Sequence, residues 1–349
     1  MVWLLRGRRH PHNRLTAGVE YVVIRTSVSC DRSRSLSGTP PYVDLQPVLR
    51  LKLLAFIRLG RPLYLGGGFI LFALGAAISR RAGHALNWPC YLLGQGTVTA
   101  LQWMTHYSND YFDYAADVAN TTPTRWSGGS RVLANGELPR GVALVAALVF
   151  GVIGCGLGGV LASMSPHGAL VAAMVVSMAV LSWQYSAPPL RFCATGWGEL
   201  DTAVVVCVLV PFLGFIVQAQ DFVGARQLAL AIVPLALLQF AMLVAIEFPD
   251  AVGDAAENKR TLVVRLGTGS AAKVWMTATL AAFGWLPIAW RLGLPGSIAV
   301  AGLIPFPFAV LRLARVRDVY NPTAFERVTL GAVALLIATS VCELVAALW

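Results

Sequence analysis

Long apolar runs alternate with polar breaks along the chain. Nine apolar segments stand out, at about 63–78, 88–107, 141–164, 169–187, 202–220, 228–248, 274–290, 297–314 and 328–348. Each approaches the roughly 20 residues that a helix needs to cross about 30 Å of hydrocarbon. Helix is the expected form, because an unpaired amide facing lipid costs several kcal/mol. The pattern predicts an all-α polytopic membrane protein with nine transmembrane helices, held in a lipid bilayer.

The polar breaks are uneven. Connections on one side are short, such as "SPHG", whereas residues 108–140 and 249–273 form two long loops on the other side. Long loops in a compact protein mark either function or disorder. With the N-terminus inside, the outer connections hold only Arg80, Arg81, Arg226 and Arg291 of the 27 Lys and Arg residues. The positive-inside bias therefore places the N-terminus and both long loops on the cytoplasmic side of the cell membrane. Residues 1–50 differ from the rest. They are Arg- and Ser-rich ("RGRRHPHNR", "DRSRSLSGTPP"), are poor in acids and show no secretory-type apolar core. They are expected to form a disordered basic cytoplasmic tail ahead of a transmembrane domain spanning 51–349.

Composition supports this reading. The chain is 57% hydrophobic and 13% charged, against about 25% charged in soluble domains. A net charge of +10 could suggest nucleic acid. The basic residues, however, sit in the tail and the inner loops, with no basic stripe interleaved with aromatics, so no nucleic-acid partner is expected. Six cysteines, at 30, 90, 155, 193, 207 and 342, lack metal-type spacing and read as small buried hydrophobes.

The acids change the picture most. In "SNDYFDYAADVAN", Asn109, Asp113 and Asp117 fall four apart on one helical face, with Asp110 beside them. In "EFPDAVGDAAENKR", Asp250 and Asp254 are again four apart. These clusters end the second and sixth apolar segments, at similar depth on the cytoplasmic side. Five aspartates at a membrane boundary repel one another, and some would protonate unless cations intervened. Carboxylate oxygens suit Mg²⁺, which usually binds through one or two of them plus substrate phosphates. Asp110, Asp113, Asp117, Asp250 and Asp254 are thus the expected metal ligands, for two Mg²⁺ ions, and a diphosphate is the expected partner. Lys259, Arg260, Arg125 and Arg131 share the two loops and could balance the remaining charge. "SGGSR" (127–131) could bring backbone amides to phosphate oxygens. One acidic cluster at a helix end is as readily a solvated surface. Two at equal depth with basic neighbours favour a site.

"NDYFDYAAD" together with "DAVGD" resembles the paired aspartate motifs of the UbiA-type intramembrane prenyltransferases. "RLGRP" before the first span, "YSAPPLRFCATGWGEL" after the fourth and "NKRTLVVRLG" after the second acidic cluster add to the resemblance, which covers roughly residues 55–348. It implies nine helices around a central cavity and two Mg²⁺ ions holding an isoprenyl diphosphate. Asn109, Asp110, Asp113 and Asp117 would form one wall, and Asp250 and Asp254 the other. "DYFDY", "SGGSRVLANGELP" and "NKRT" look most like the menaquinone branch, which prenylates 1,4-dihydroxy-2-naphthoate, although Asn258 stands where that branch often has Gly.

The implied chemistry is Mg²⁺-dependent ionisation followed by electrophilic aromatic substitution, with Asp110, Asp113 and Asp254 essential to it. Asn109, Arg125, Arg131, Lys259, Arg260 and Arg61 would contact diphosphate. Tyr185 is either the family tyrosine that faces the allylic cation or an interfacial belt residue, and Arg61 either a phosphate ligand or a topology anchor. His106 is a candidate base or a hydrogen-bonded structural histidine. Glu247 could support Asp250, and Glu343 is expected to be paired or near the outer surface. Other acceptors (4-hydroxybenzoate, homogentisate, haem or chlorophyll precursors) remain alternatives. So does a transporter using intramembrane carboxylates, although such acids would sit nearer the bilayer midplane.

Overall fold

The computed structural model describes residues 46–349. The expected tail falls outside the described residues except for its last few, which open helix α1 (Gln46–Leu59). Arg61 separates α1 from α2 (Pro62–Arg81) in a left-handed conformation, φ 46°. There follow α3 (Trp88–Phe112), α4 (Tyr114–Ala119), α5 (Arg140–Met164), α6 (Gly168–Ser186), α7 (Phe192–Thr195) and α8 (Gly198–Val204). A π-helical turn, Val205–Leu209, joins α8 to α9 (Val210–Ile216). The chain then runs through α10 (Ala225–Ala256), α11 (Leu262–Arg291), α12 (Gly296–Leu303), α13 (Phe306–Leu313) and α14 (Phe325–Leu348). Among the described residues there is no strand.

Seven helical stretches are long and apolar enough to cross a membrane: α2, α5, α6, α8 through α9, α10, α12 through α13, and the stretch Pro322–Leu348 that contains α14. The other two expected segments lie in α3, with 25 residues, and α11, with 30. Both are long but less apolar, since α3 carries Gln95, Gln102, His106, Asn109 and Asp110, and α11 carries Arg265 and Lys273.

Two helices run beyond their apolar segments, as the four-residue spacing of their aspartates implies. The second and sixth apolar runs end at 107 and 248, yet α3 continues to Phe112 and α10 to Ala256. Helix persists past the end of hydropathy because the aspartates repeat at helical spacing and line one wall. The supposed long loop 249–273 is therefore mostly helix, interrupted by residues 257–261 and by a kink at Gly267 (φ 73°, ψ 155°) within α11.

Packing follows membrane rules, with small residues inward and large aliphatics toward lipid. In α5, Ala143, Ala146, Ala147, Gly154 and Gly158 are buried, whereas Val145, Leu148, Val149 and Val152 are exposed. A Cβ on Gly154 would meet Leu101 Cδ2 at 2.8 Å, and one on Gly158 would meet Val175 Cγ1 at 2.5 Å. Helices α2 and α9 cross more closely still. A Cβ on Gly75 would lie 1.8 Å from the Pro211 carbonyl oxygen, and one on Gly214 would lie 2.2 Å from that of Phe72. This crossing places the π turn and the start of α8 beside the central cavity.

Candidate active site

Helices α2, α3, α6, α8, α10 and α14 enclose a cavity of about 400 Å³. Along α3, the residues Val98, Leu101, Gln102, Thr105, His106, Asn109 and Asp113 line it. These recur at three- and four-residue spacing, so they form one helical face. On α10 the same spacing brings Gln239, Met242, Leu243, Ile246, Glu247, Asp250 and Asp254 to the opposite wall. Each wall is apolar along most of its length and acidic at one end, and the two acidic ends meet.

One ammonium joins them. Lys259 Nζ lies 3.0 Å from Asp113 Oδ2 and 3.4 Å from Asp254 Oδ1. Burial alone would lower its pKa, but Asp113 and Asp254 carry it well above its ordinary value. Lys259 is brought there by the turn after α10, in which Asn258 takes φ 56°. Asn is one of the few side chains that enters this left-handed region readily. That explains why an Asn can stand where Gly was expected.

The segment 127–131 makes a second bridge. Gly128 N donates to Asp250 Oδ2 at 3.0 Å, and Ser130 N donates to Asp110 Oδ2 at 3.1 Å. These amides were expected on phosphate oxygens. Instead they clip the two carboxylate rows to one short stretch of backbone. Gly129 sits between them at φ 74°, and a Cβ there would lie 2.0 Å from Asp117 Oδ2. Asn120 Nδ2 gives Asp250 a further bond of 2.7 Å.

The first row is not one continuous stripe. Helix α3 ends at Phe112, Asp113 takes φ −89° and ψ 5°, and α4 carries Asp117. Asn109 Nδ2 donates to Asp113 Oδ2 at 2.8 Å and to Ser186 Oγ at 3.0 Å, while its Oδ1 accepts from Arg61 Nη2 at 3.1 Å. Arg61 also forms an ion pair with Asp110. Burial would lower the Arg61 pKa, but Asp110 and Asp117 raise it above its usual value. Asp117 is pushed up to about 8, first by burial and then by the charge of Asp110.

The remaining expected residues divide. Tyr185 lines the cavity. Arg125, Arg131 and Arg260 lie outside its lining. Arg125 is exposed and stacks on Trp126 at 5.8 Å, and its backbone N bonds Glu326 Oε2 at 2.9 Å. The Arg131 guanidinium donates to the Asp117 carbonyl, and Arg260 is exposed, its backbone bonded to Ala194 and Arg265. Glu247 faces the start of α11 rather than Asp250, accepting from Val263 N at 3.3 Å. His106 Nε2 has no hydrogen-bond partner among the described residues, contrary to a hydrogen-bonded structural role at that atom. Glu343 is not paired. It is 0% exposed, and neither carboxylate oxygen has a partner among the described residues.

Sequence reasoning missed several lining residues. Cys193 Sγ is 3.6 Å from Asp113 Oδ1. Tyr64, Gln102, Asp201 and Gln239 also line the cavity. Tyr64, Gln102 and Gln239 stand as isolated polar residues inside apolar runs and Cys193 and Asp201 lie between such runs, and only the fold gives each a direction.

The acidic ends fit Mg²⁺ by chemistry. They offer hard carboxylate oxygens, and Asp117, raised first by burial and then by the charge of Asp110, is a carboxyl that a nearby cation would help to ionise. Among the described residues no three His, Cys, Asp or Glu side chains converge on one metal position.

The sequence pattern of the UbiA prenyltransferase family matches residues 69–341. The chain belongs to the UbiA prenyltransferase family. Solved structures with this fold include a digeranylgeranylglyceryl phosphate synthase, 16% identical with a TM-score of 0.60, covering 85% of this chain and 99% of its own. A UbiA homolog from Archaeoglobus fulgidus bound to GPP and Mg²⁺ is 14% identical with a TM-score of 0.57, covering 83% and 99%. Another, from Aeropyrum pernix K1, is 17% identical with a TM-score of 0.50, covering 77% and 97%. No curated protein matches the chain.

Proposed function

We propose that this prenyltransferase moves a polyprenyl group from an isoprenyl diphosphate to an aromatic acceptor, 1,4-dihydroxy-2-naphthoate before the other candidates, with the site facing the cytoplasm. The observation that carries this is the meeting of two acidic rows at one end of an otherwise apolar cavity, joined by Lys259. A headgroup with its cation belongs at the acidic end and a hydrocarbon chain in the rest. Binding of GPP and Mg²⁺ by the Archaeoglobus homolog supports the same division.

Asp110, Asp113, Asp117, Asp250 and Asp254 would hold two Mg²⁺ ions. When bound, Mg²⁺ supplies positive charge to the diphosphate oxygens as the carbon–oxygen bond breaks. Lys259 adds a fixed cation where leaving-group charge gathers, so it stabilises the transition state more than the ground state. Arg61 orients Asn109 and Asp110. The Tyr185 ring can face the allylic cation. Leu71, Val98, Leu101, Met178, Val210 and Leu336 line the rest of the cavity and keep water from quenching that cation to an alcohol. A ring carbon of the acceptor attacks and a carbon–carbon bond forms; the attacked carbon then sheds its proton or, where it carries the carboxylate, carbon dioxide. His106 Nε2 is available to take the proton.

The test is purified protein in lipid, given Mg²⁺, geranylgeranyl diphosphate and a panel of aromatic acceptors, with products identified by mass spectrometry. Conversion of the naphthoate to a prenylated dihydroxynaphthalene with carbon dioxide release is expected, and EDTA should abolish it. Turnover that persists in EDTA, or transfer to no aromatic acceptor, overturns the reading.

A further inference from the structure

Beyond the two aspartate rows, α8 and α10 carry three further buried acidic side chains: Glu199, Asp201 and Glu247. Two have structural partners. Glu199 Oε1 accepts from Leu262 N at 2.9 Å, and Glu247 Oε2 accepts from Val263 N at 3.3 Å, so both carboxylates hold the N-terminus of α11. Asp201 does not. It is 9% exposed, lines the cavity, and its Oδ1 has no hydrogen-bond partner among the described residues. Its helical face continues into the cavity through Thr202, Val205 and Val206. Gln239 joins this wall from α10.

A cavity built only for hydrocarbon has no use for this carboxylate. Buried polar atoms are paired as a rule, and an unpaired one facing a cavity marks a place where a ligand completes the bonding. A carboxylate offers acceptors, so the missing group is a donor. Asp201 lies one turn into α8 from Gly198, which packs on Cys193 and Tyr185, and Cys193 Sγ is 3.6 Å from Asp113 Oδ1. The reacting ring must sit there, because its carbon has to reach the carbon leaving the diphosphate.

We propose that Asp201 is a specificity-determining residue that accepts a hydrogen bond from a ring hydroxyl of the acceptor. This rests on the aromatic-acceptor reading of the site. The contact orients the ring and favours acceptors that carry a free hydroxyl over those in which it is capped. A site that bonds a substrate hydroxyl discriminates strongly against the analogue lacking it, because its own buried group is then left unpaired.

The experiment measures binding in nanodiscs with Mg²⁺ and an unreactive thiolo analogue of geranylgeranyl diphosphate. The probes are 1,4-dihydroxy-2-naphthoate, kept reduced, and its 1,4-dimethoxy counterpart, with Trp126 in the cavity lining as the fluorescent reporter. The wild type should bind the dihydroxy compound at least tenfold more tightly, and Asp201→Ala should abolish that preference while the thiolo-diphosphate affinity stays within about twofold. Asp201→Asn, nearly the same shape, should keep part of it. No preference in the wild type, or an undiminished preference in Asp201→Ala, overturns the assignment. Equal losses for both ligands would mark Asp201 as merely structural and also overturn it. If the preference holds but no acceptor is prenylated in turnover assays, the transfer reading fails and the hydroxyl contact stands.

Discussion

At the residue scale, the site is a set of carboxylates each held by a different kind of donor. Asp110 has a guanidinium and an amide, Asp113 an ammonium and a carboxamide, and Asp250 an amide and a carboxamide. Asp117 makes the smallest use of such donors, and its pKa is the one pushed to about 8. Metal ligation requires the deprotonated form. The Mg²⁺ concentration for half-maximal activity should therefore fall as pH rises from 6 to 9, and Asp117→Asn should flatten that dependence. A wild-type requirement independent of pH would contradict the role. Replacing Asp113 or Asp254 with Ala removes a carboxylate from the Lys259 bridge, and each should lower kcat by at least a hundredfold while the protein still inserts and purifies as a monodisperse species. Full activity in either variant would exclude it from the machinery.

At the element scale, the segment 127–131 turns two helix ends into one wall. Gly129→Ala introduces both a disfavoured φ and an overlap with Asp117. Backbone strain of this kind costs on the order of 1–3 kcal/mol. The substitution should cut activity at least tenfold and lower the melting temperature by a few degrees, read by turnover and thermal unfolding in detergent. An alanine variant with wild-type values would show that the clip is dispensable. This element also marks the limit of what the sequence discloses. The pairing of "NDYFDYAAD" with "DAVGD" was legible, because four-residue spacing on a helix fixes a face. The break at Asp113 was not, since no Gly or Pro announces it. The use of Gly128 N and Ser130 N was hidden as well, because an amide's partner depends on which helix end tertiary packing brings near. Arg125, Arg131 and Arg260 looked equivalent to Lys259 by loop and charge. Only the fold separates the one that reaches inward from the three that do not.

At the scale of the whole molecule, apolar patterning found the seven stretches long and apolar enough to cross a membrane among the described residues, and its other two segments fall in α3 and α11. It misjudged their ends wherever polar residues continue a helix along the cavity wall, and α3 and α10 are those cases. Orientation is open to direct measurement. In a cysteine-free background, Gly293→Cys should react with an impermeant maleimide from outside intact cells, and Arg317→Cys only after the membrane is opened. The reverse pattern would invert the topology and put the acidic end on the outer face.

The outward-turned bulk of α5 has a consequence for altering this protein. Exchanging Val152 with Gly154 leaves the residue inventory untouched and any averaged hydropathy plot nearly so. It would nevertheless push a branched side chain into Leu101 and leave a notch facing the acyl chains. Two such chains would be indistinguishable to a census of amino acids, and one of them could not close its bundle. For this molecule, the order of large and small carries information that their totals do not.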